Sequence, residues 1–94
     1  MATVIVTPRA AGDIDDAVRF LGLPPDTRVR VARSLRLLGR FPLAGRALEG
    51  RWAPMRFVLG PWSWMILVYV YDDDADRVSV VATYDARSSV PPGR

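Results

Sequence analysis

GPWSWMILVYVYDDD, residues 60 to 74, decides the fold. Between Trp62 and Tyr71 only Ser63 is polar, and the run opens on Gly60-Pro61 and closes on three aspartates. A membrane-spanning helix needs roughly 20 apolar residues, about twice what this run offers. Aromatic and β-branched residues held between turn formers read instead as a strand. Alternation then places Trp62, Trp64, Ile66, Val68 and Val70 on one face, and Ser63, Met65, Leu67, Tyr69 and Tyr71 on the other. Both faces are apolar, so the strand is central. One face belongs under helices; the other needs a long loop, a partner or a ligand to cover it.

The flanks supply the remaining elements. Thr3 to Val6 is a short β-branched strand, followed by Thr7-Pro8, a helix start with a capping hydroxyl and a proline suited to the first helical position. Ala10, Ile14, Ala17, Val18 and Leu21 recur at helical spacing up to Gly22. A second helix, capped by Asp26 or Thr27, runs to about Leu38 with Gly39 as its stop. From Gly39 to Pro54, three glycines and two prolines predict a long ordered loop. Met55 to Leu59, Trp62 to Tyr71 and Arg77 to Tyr84 form a meander joined by Gly60-Pro61 and by the acidic turn Asp72 to Asp76. The predicted fold is α+β in the order β-α-α-β-β-β, with a helical hairpin on one face of a mostly antiparallel four-stranded sheet. The chain reads as one domain over residues 1–94, with an irregular tail over 88–94.

Composition removes several chemistries. Neither cysteine nor histidine is present, which excludes disulfides, thiolate sites, the commonest general base and the usual hydrolase triad. All thirteen basic residues are arginine, against nine Asp and one Glu, for a net charge of +3. Such always-charged planar forks suit phosphate or carboxylate partners. The N-terminal stretch lacks the basic-then-apolar layout of a secretory signal, so a cytoplasmic location is expected. The acidic turn lacks the glycine and distal glutamate of a calcium loop, so no metal is expected there.

Three groups of residues could carry function. Arg33, Arg36 and Arg40 form a stripe on the second helix with Val29 and Leu37 beside it, an arrangement that suits an acidic protein segment better than bare phosphate. Arg46 and Arg51 sit in the long loop as further binding candidates. Arg56 and Arg87 would clamp a phosphate if the strand ends met at one edge, or would otherwise pair with Asp85 or the acidic turn.

TPRAAGDIDDAVRFL, FPLAGRALEG, MRFVLGPW and VYVYDDDADRVSVVATYDARSS, in that order, resemble the RelE/ParE superfamily of toxins from bacterial type II toxin–antitoxin modules. The resemblance runs from Val4 to Ser89 and implies the fold derived above, a cognate antitoxin partner, a possible heterotetramer with it, and no cofactor. RelE-like members cut messenger RNA on the ribosome without a metal; ParE-like members inhibit DNA gyrase. Residue by residue, Arg56 and Arg87 match basic positions of the nuclease branch, with Tyr84 the nearest phenol. The nuclease pattern then breaks: Val58 and Ser63 stand where basic residues are usual, and Pro91-Pro92 replace the C-terminal tyrosine. The expectation is a toxin that binds a target such as gyrase. An endoribonuclease built on Arg56, Tyr84 and Arg87, or a decayed toxin-like binding module, are the alternatives.

Overall fold

The structure, a computed structural model, describes residues 1–87, and the tail expected to be irregular lies outside them. The chain forms β1 (Thr3–Val6), α1 (Pro8–Leu21), α2 (Thr27–Arg40), β2 (Arg46–Ala47), a short 3-10 turn (Gly50–Trp52), β3 (Arg56–Leu59), β4 (Met65–Asp72) and β5 (Arg77–Asp85). The sheet order is β1-β5-β4-β3-β2; β1 runs parallel to β5 and every other pairing is antiparallel.

The helix ends follow local chemistry. The Thr7 hydroxyl accepts the Ala10 N–H at 3.3 Å, and Pro8 fills the first helical position. Gly22 closes α1 in the left-handed region at φ 64°, where its N–H reaches the Val18 carbonyl. Asp26 sits at the α2 cap position without capping; its carboxylate pairs with Arg30, and the buried Thr27 hydroxyl donates to the Pro24 carbonyl. Gly39 does not stop α2 as expected. It is buried in the last turn, where its carbonyl accepts the Ala2 N–H at 2.7 Å. The helix ends before Pro42, whose ring disfavours helical geometry at Phe41.

Five strands form where four were expected. The addition is two residues long: Arg46 lies opposite Phe57 and Ala47 opposite Arg56. A pairing so short leaves no periodicity to read. The central strand also starts later than expected, at Met65, because Gly60 to Trp64 form a turn closed by the Gly60 N–H on the Met65 carbonyl. Trp62 and Trp64 therefore lie outside the strand, stacked at 5.9 Å between centroids.

From Met65 onward the alternation holds. Met65, Leu67 and Tyr69 are buried with Ala10, Ile14, Val31, Leu35, Leu38, Val78 and Val80 in the core between sheet and helices. Each large apolar side chain buried there contributes on the order of 1.5–3 kcal/mol. Val68 and Ala82 face the opposite side, beneath the loop residues Leu48, Trp52 and Met55. The long loop thus covers part of the second apolar face. No described helix is long and apolar enough to cross a membrane.

Candidate functional site

The loop does not seal the second face. It roofs a cleft of ≈ 270 Å³ lined by Arg9, Leu48, Trp52, Met55, Val68, Val81, Ala82 and Tyr84. A β-bulge shapes its floor: Val68 pairs with Ala82 but Tyr69 with Val80, so Val81 is the extra residue and joins Ala82 in lining the cleft. At the cleft, an Arg9 guanidinium N–H donates to the Tyr84 hydroxyl at 3.3 Å. Arg9 is the residue that sequence reasoning missed. It lies 75 positions from Tyr84, and only the pairing of β1 with β5 brings the start of α1 beside the end of β5.

Arg56, Tyr84 and Arg87 do not converge. Arg56 pairs with Tyr69, whose side chain lies on the helix side of the sheet, whereas Tyr84 pairs with Ile66, three positions along β4 and on the other face. Three residues of strand separate them by roughly 10 Å along the sheet alone. Arg56 is also occupied elsewhere. Its guanidinium donates to the Gly45 carbonyl at 2.9 Å and the Leu43 carbonyl at 3.4 Å. Tyr69 completes this anchor from below: its hydroxyl donates to the Pro42 carbonyl at 2.7 Å and accepts the Gly45 N–H at 2.9 Å. Burial raises the Tyr69 pKa, opposed by the Gly45 N–H and the nearby Arg56 charge. The phenol stays a donor, and the two side chains together fix residues 42–45.

Arg87 is at the other end of the sheet. It grips Asp85 through its backbone N–H and two guanidinium nitrogens, at 2.8, 3.0 and 2.9 Å, and lies 4.2 Å over the Trp64 ring. That pairing holds the Asp85 carboxyl below the usual carboxylate range. The ion pair foreseen as the plainer alternative for Arg87 is the one formed; Arg56 pairs with no described acid.

The binding candidates on α2 share one exposed surface. Val29 and Leu37 are 58% and 52% exposed, and Arg33, Arg36 and Arg40 are exposed around them. None of these three arginines makes an ion pair among the described residues. Arg28 and Arg30, by contrast, are tied to Asp15 and Asp26. Arg46 and Arg51 are also exposed, but away from α2: Arg46 lies in β2 opposite Phe57, and Arg51 lies in the 3-10 turn, 4.7 Å over Trp52. In the acidic turn, the exposed carboxylates of Asp72, Asp73 and Asp74 lie within 4.8 Å of one another. One Asp72 oxygen accepts the backbone N–H groups of Asp74 and Ala75, as a tight turn requires.

No family model matches the chain, and no curated protein matches it in sequence. Solved structures do match. The RelBE2 toxin–antitoxin complex of Mycobacterium tuberculosis contains a chain 25% identical, with a TM-score of 0.65, covering 89% of this chain and 96% of that one. The isolated RelE toxin of E. coli is 20% identical at a TM-score of 0.65, covering 95% of this chain and 88% of that one. A toxin from Helicobacter pylori, 21% identical, superposes at 0.63 over 90% of this chain and 94% of its own. The chain has the RelE/ParE toxin fold. Within that fold, the cleft lies on the sheet face away from the helices, and the exposed Arg33, Arg36 and Arg40 lie on the outer surface of the helical hairpin.

Proposed function

We propose that the protein is the toxin of a toxin–antitoxin pair that acts by binding its target, with DNA gyrase the first candidate. The observation that carries the choice of binding over cutting is the placement of Arg56. It lies on the opposite sheet face from Tyr84 and is committed to the carbonyls of Leu43 and Gly45. Losing one positioned acid–base group typically costs 10²–10⁴ in rate. The shared fold with RelE structures, one of them from a toxin–antitoxin complex, supports the toxin assignment. The antitoxin surface is assigned to Val29, Arg33, Arg36, Leu37 and Arg40, where apolar side chains lie among exposed guanidinium groups and suit an amphipathic acidic segment. Induced expression should arrest growth, and co-expression of the antitoxin from the adjacent reading frame should relieve it and yield a stable complex. Absence of both arrest and complex would contradict the assignment.

One observation favours a second reading. Arg9 and Tyr84 meet at a partly apolar cleft, so a nuclease could rest on that pair without Arg56. Messenger cleavage abolished by Tyr84→Phe would select it; arrest that persists in Tyr84→Phe selects the binding mode.

A further inference from the structure

Three ring contacts gather at the end of the domain where the β3–β4 turn meets the helices. Arg30 lies 5.8 Å over Trp62, Trp62 stacks on Trp64 at 16° between planes, and Arg87 caps Trp64 at 4.2 Å. These contacts link Arg30 of α2, Trp62 and Trp64 of the turn, and Arg87 just beyond β5. Beside Arg30 is an open hollow of ≈ 380 Å³ lined by Asp26, Arg30, Arg33, Ser34 and Pro61.

We infer that this hollow is an anchor site for a carboxylate on an acidic segment of a partner protein. Arg30 supplies a fixed arm. Its Nε donates to both Asp26 oxygens at 3.1 Å and its guanidinium carbon lies 5.8 Å from the centroid of the Trp62 ring, while its terminal nitrogens make no hydrogen bond among the described residues. Arg33 supplies a free arm one turn along, with no ion pair among the described residues. A guanidinium already held in place does not lose its rotamer freedom on binding. Together the two present the forked donors that match a carboxylate.

Charge and surroundings choose a carboxylate over a phosphate chain. Asp26 offsets one of the two arginines, so the hollow carries one uncompensated positive charge. Its neighbours are Pro61, Trp62 and, on the same helix, the exposed Val29 and Leu37, which offer apolar contact to a polypeptide and nothing to a sugar–phosphate backbone. The site extends the antitoxin surface proposed above around the N-terminal half of α2 and rests on that reading for its partner, but its chemistry can be tested without the partner.

The probe is a capped tetraglutamate peptide titrated into the isolated protein at constant ionic strength, followed by the indole N–H resonances of its three tryptophans. Saturable shifts are expected at Trp62 and Trp64 while Trp52, which lies in the loop under Arg51, stays still. Arg33→Gln should weaken binding about fivefold, and Arg77→Gln, which removes the same charge from the exposed start of β5 at the far end of the sheet, should leave it within about 1.5-fold. Trp62→Leu, which removes the ring beside Arg30, should weaken binding while backbone amide resonances away from the β3–β4 turn keep their positions. Equal shifts at all three indoles, equal losses in the Arg33 and Arg77 variants, or tighter binding of tetrathymidylate than of tetraglutamate would each overturn the inference. Growth arrest and rescue are scored separately, so a failed toxin assignment and a failed anchor site give different results.

Discussion

Tyr69→Phe removes one oxygen atom and should cost the protein a large share of its stability. Tyr69 is fully buried in the middle of β4, and its hydroxyl makes two bonds to one loop, donating to Pro42 and accepting from Gly45. Phenylalanine fills the same core volume, so packing is kept and only the bonds are lost. Each backbone group left unpaired costs about 1–3 kcal/mol when buried, and less where water can reach it. Gly45 is buried whereas Pro42 is only partly so, which gives a combined cost of about 2–3 kcal/mol. Against a total stability of about 5–15 kcal/mol this is a heavy loss, equivalent to a fall of about 10–20 °C in Tm. Urea and thermal unfolding followed by circular dichroism measure it. Tyr71→Phe is the control, since Tyr71 loses only an exposed bond to Asp76 at 2.8 Å. A Tyr69→Phe protein within about 0.5 kcal/mol of its parent would show that the hydroxyl does not anchor the loop.

Other outcomes follow from the same contacts. A Cβ at Gly45 would lie 2.5 Å from the Tyr69 ring and hydroxyl and 2.8 Å from the Phe57 carbonyl, so Gly45→Ala should destabilise by about 1–3 kcal/mol in urea unfolding. Arg56→Ala should cost about 0.5–1.5 kcal/mol, and less than additively with Tyr69→Phe, because both side chains hold the same loop. The folded-state pKa of Asp15 and of Asp85 lies below the ordinary 3.8, through Arg28 and Arg87. Their stabilisation is therefore present above that value and lost as the pH falls through the lowered ones, so urea midpoints of Asp15→Asn should fall less steeply with acid than those of the parent. At the alkaline end, Tyr69 is raised above 10.0 by burial, so its contribution is kept below that pH and lost as the pH rises through the folded value; Tyr69→Phe should flatten that limb.

The core was legible in the sequence because the β4 pattern is strict: Met65, Leu67 and Tyr69 alternate onto the helices, and α1 and α2 repeat apolar residues at helical spacing. Thr7-Pro8 and Gly22 marked α1 through local chemistry alone. What could not be read depends on contacts between distant residues. Gly39 looked like a helix stop but serves the N-terminal strand, whose Ala2 amide it accepts. The two-residue β2 exists only because β3 is there to pair with it. At the candidate site, Arg56 and Arg87 were identified as matching positions, but which sheet face each occupies depends on register, and register assigns them to opposite ends. Arg9 carried no signal, because nothing local tells an arginine at a helix start that a tyrosine will lie beside it.

The direct test of toxin action by binding is a paired assay on one preparation of purified protein. Supercoiling by DNA gyrase is measured beside the integrity of ribosome-bound messenger over the same concentrations. Dose-dependent loss of supercoiling with intact messenger, unchanged in Tyr84→Phe, is the predicted result. Codon-specific messenger cleavage that disappears in Tyr84→Phe or Arg87→Ala, with supercoiling untouched, would contradict it.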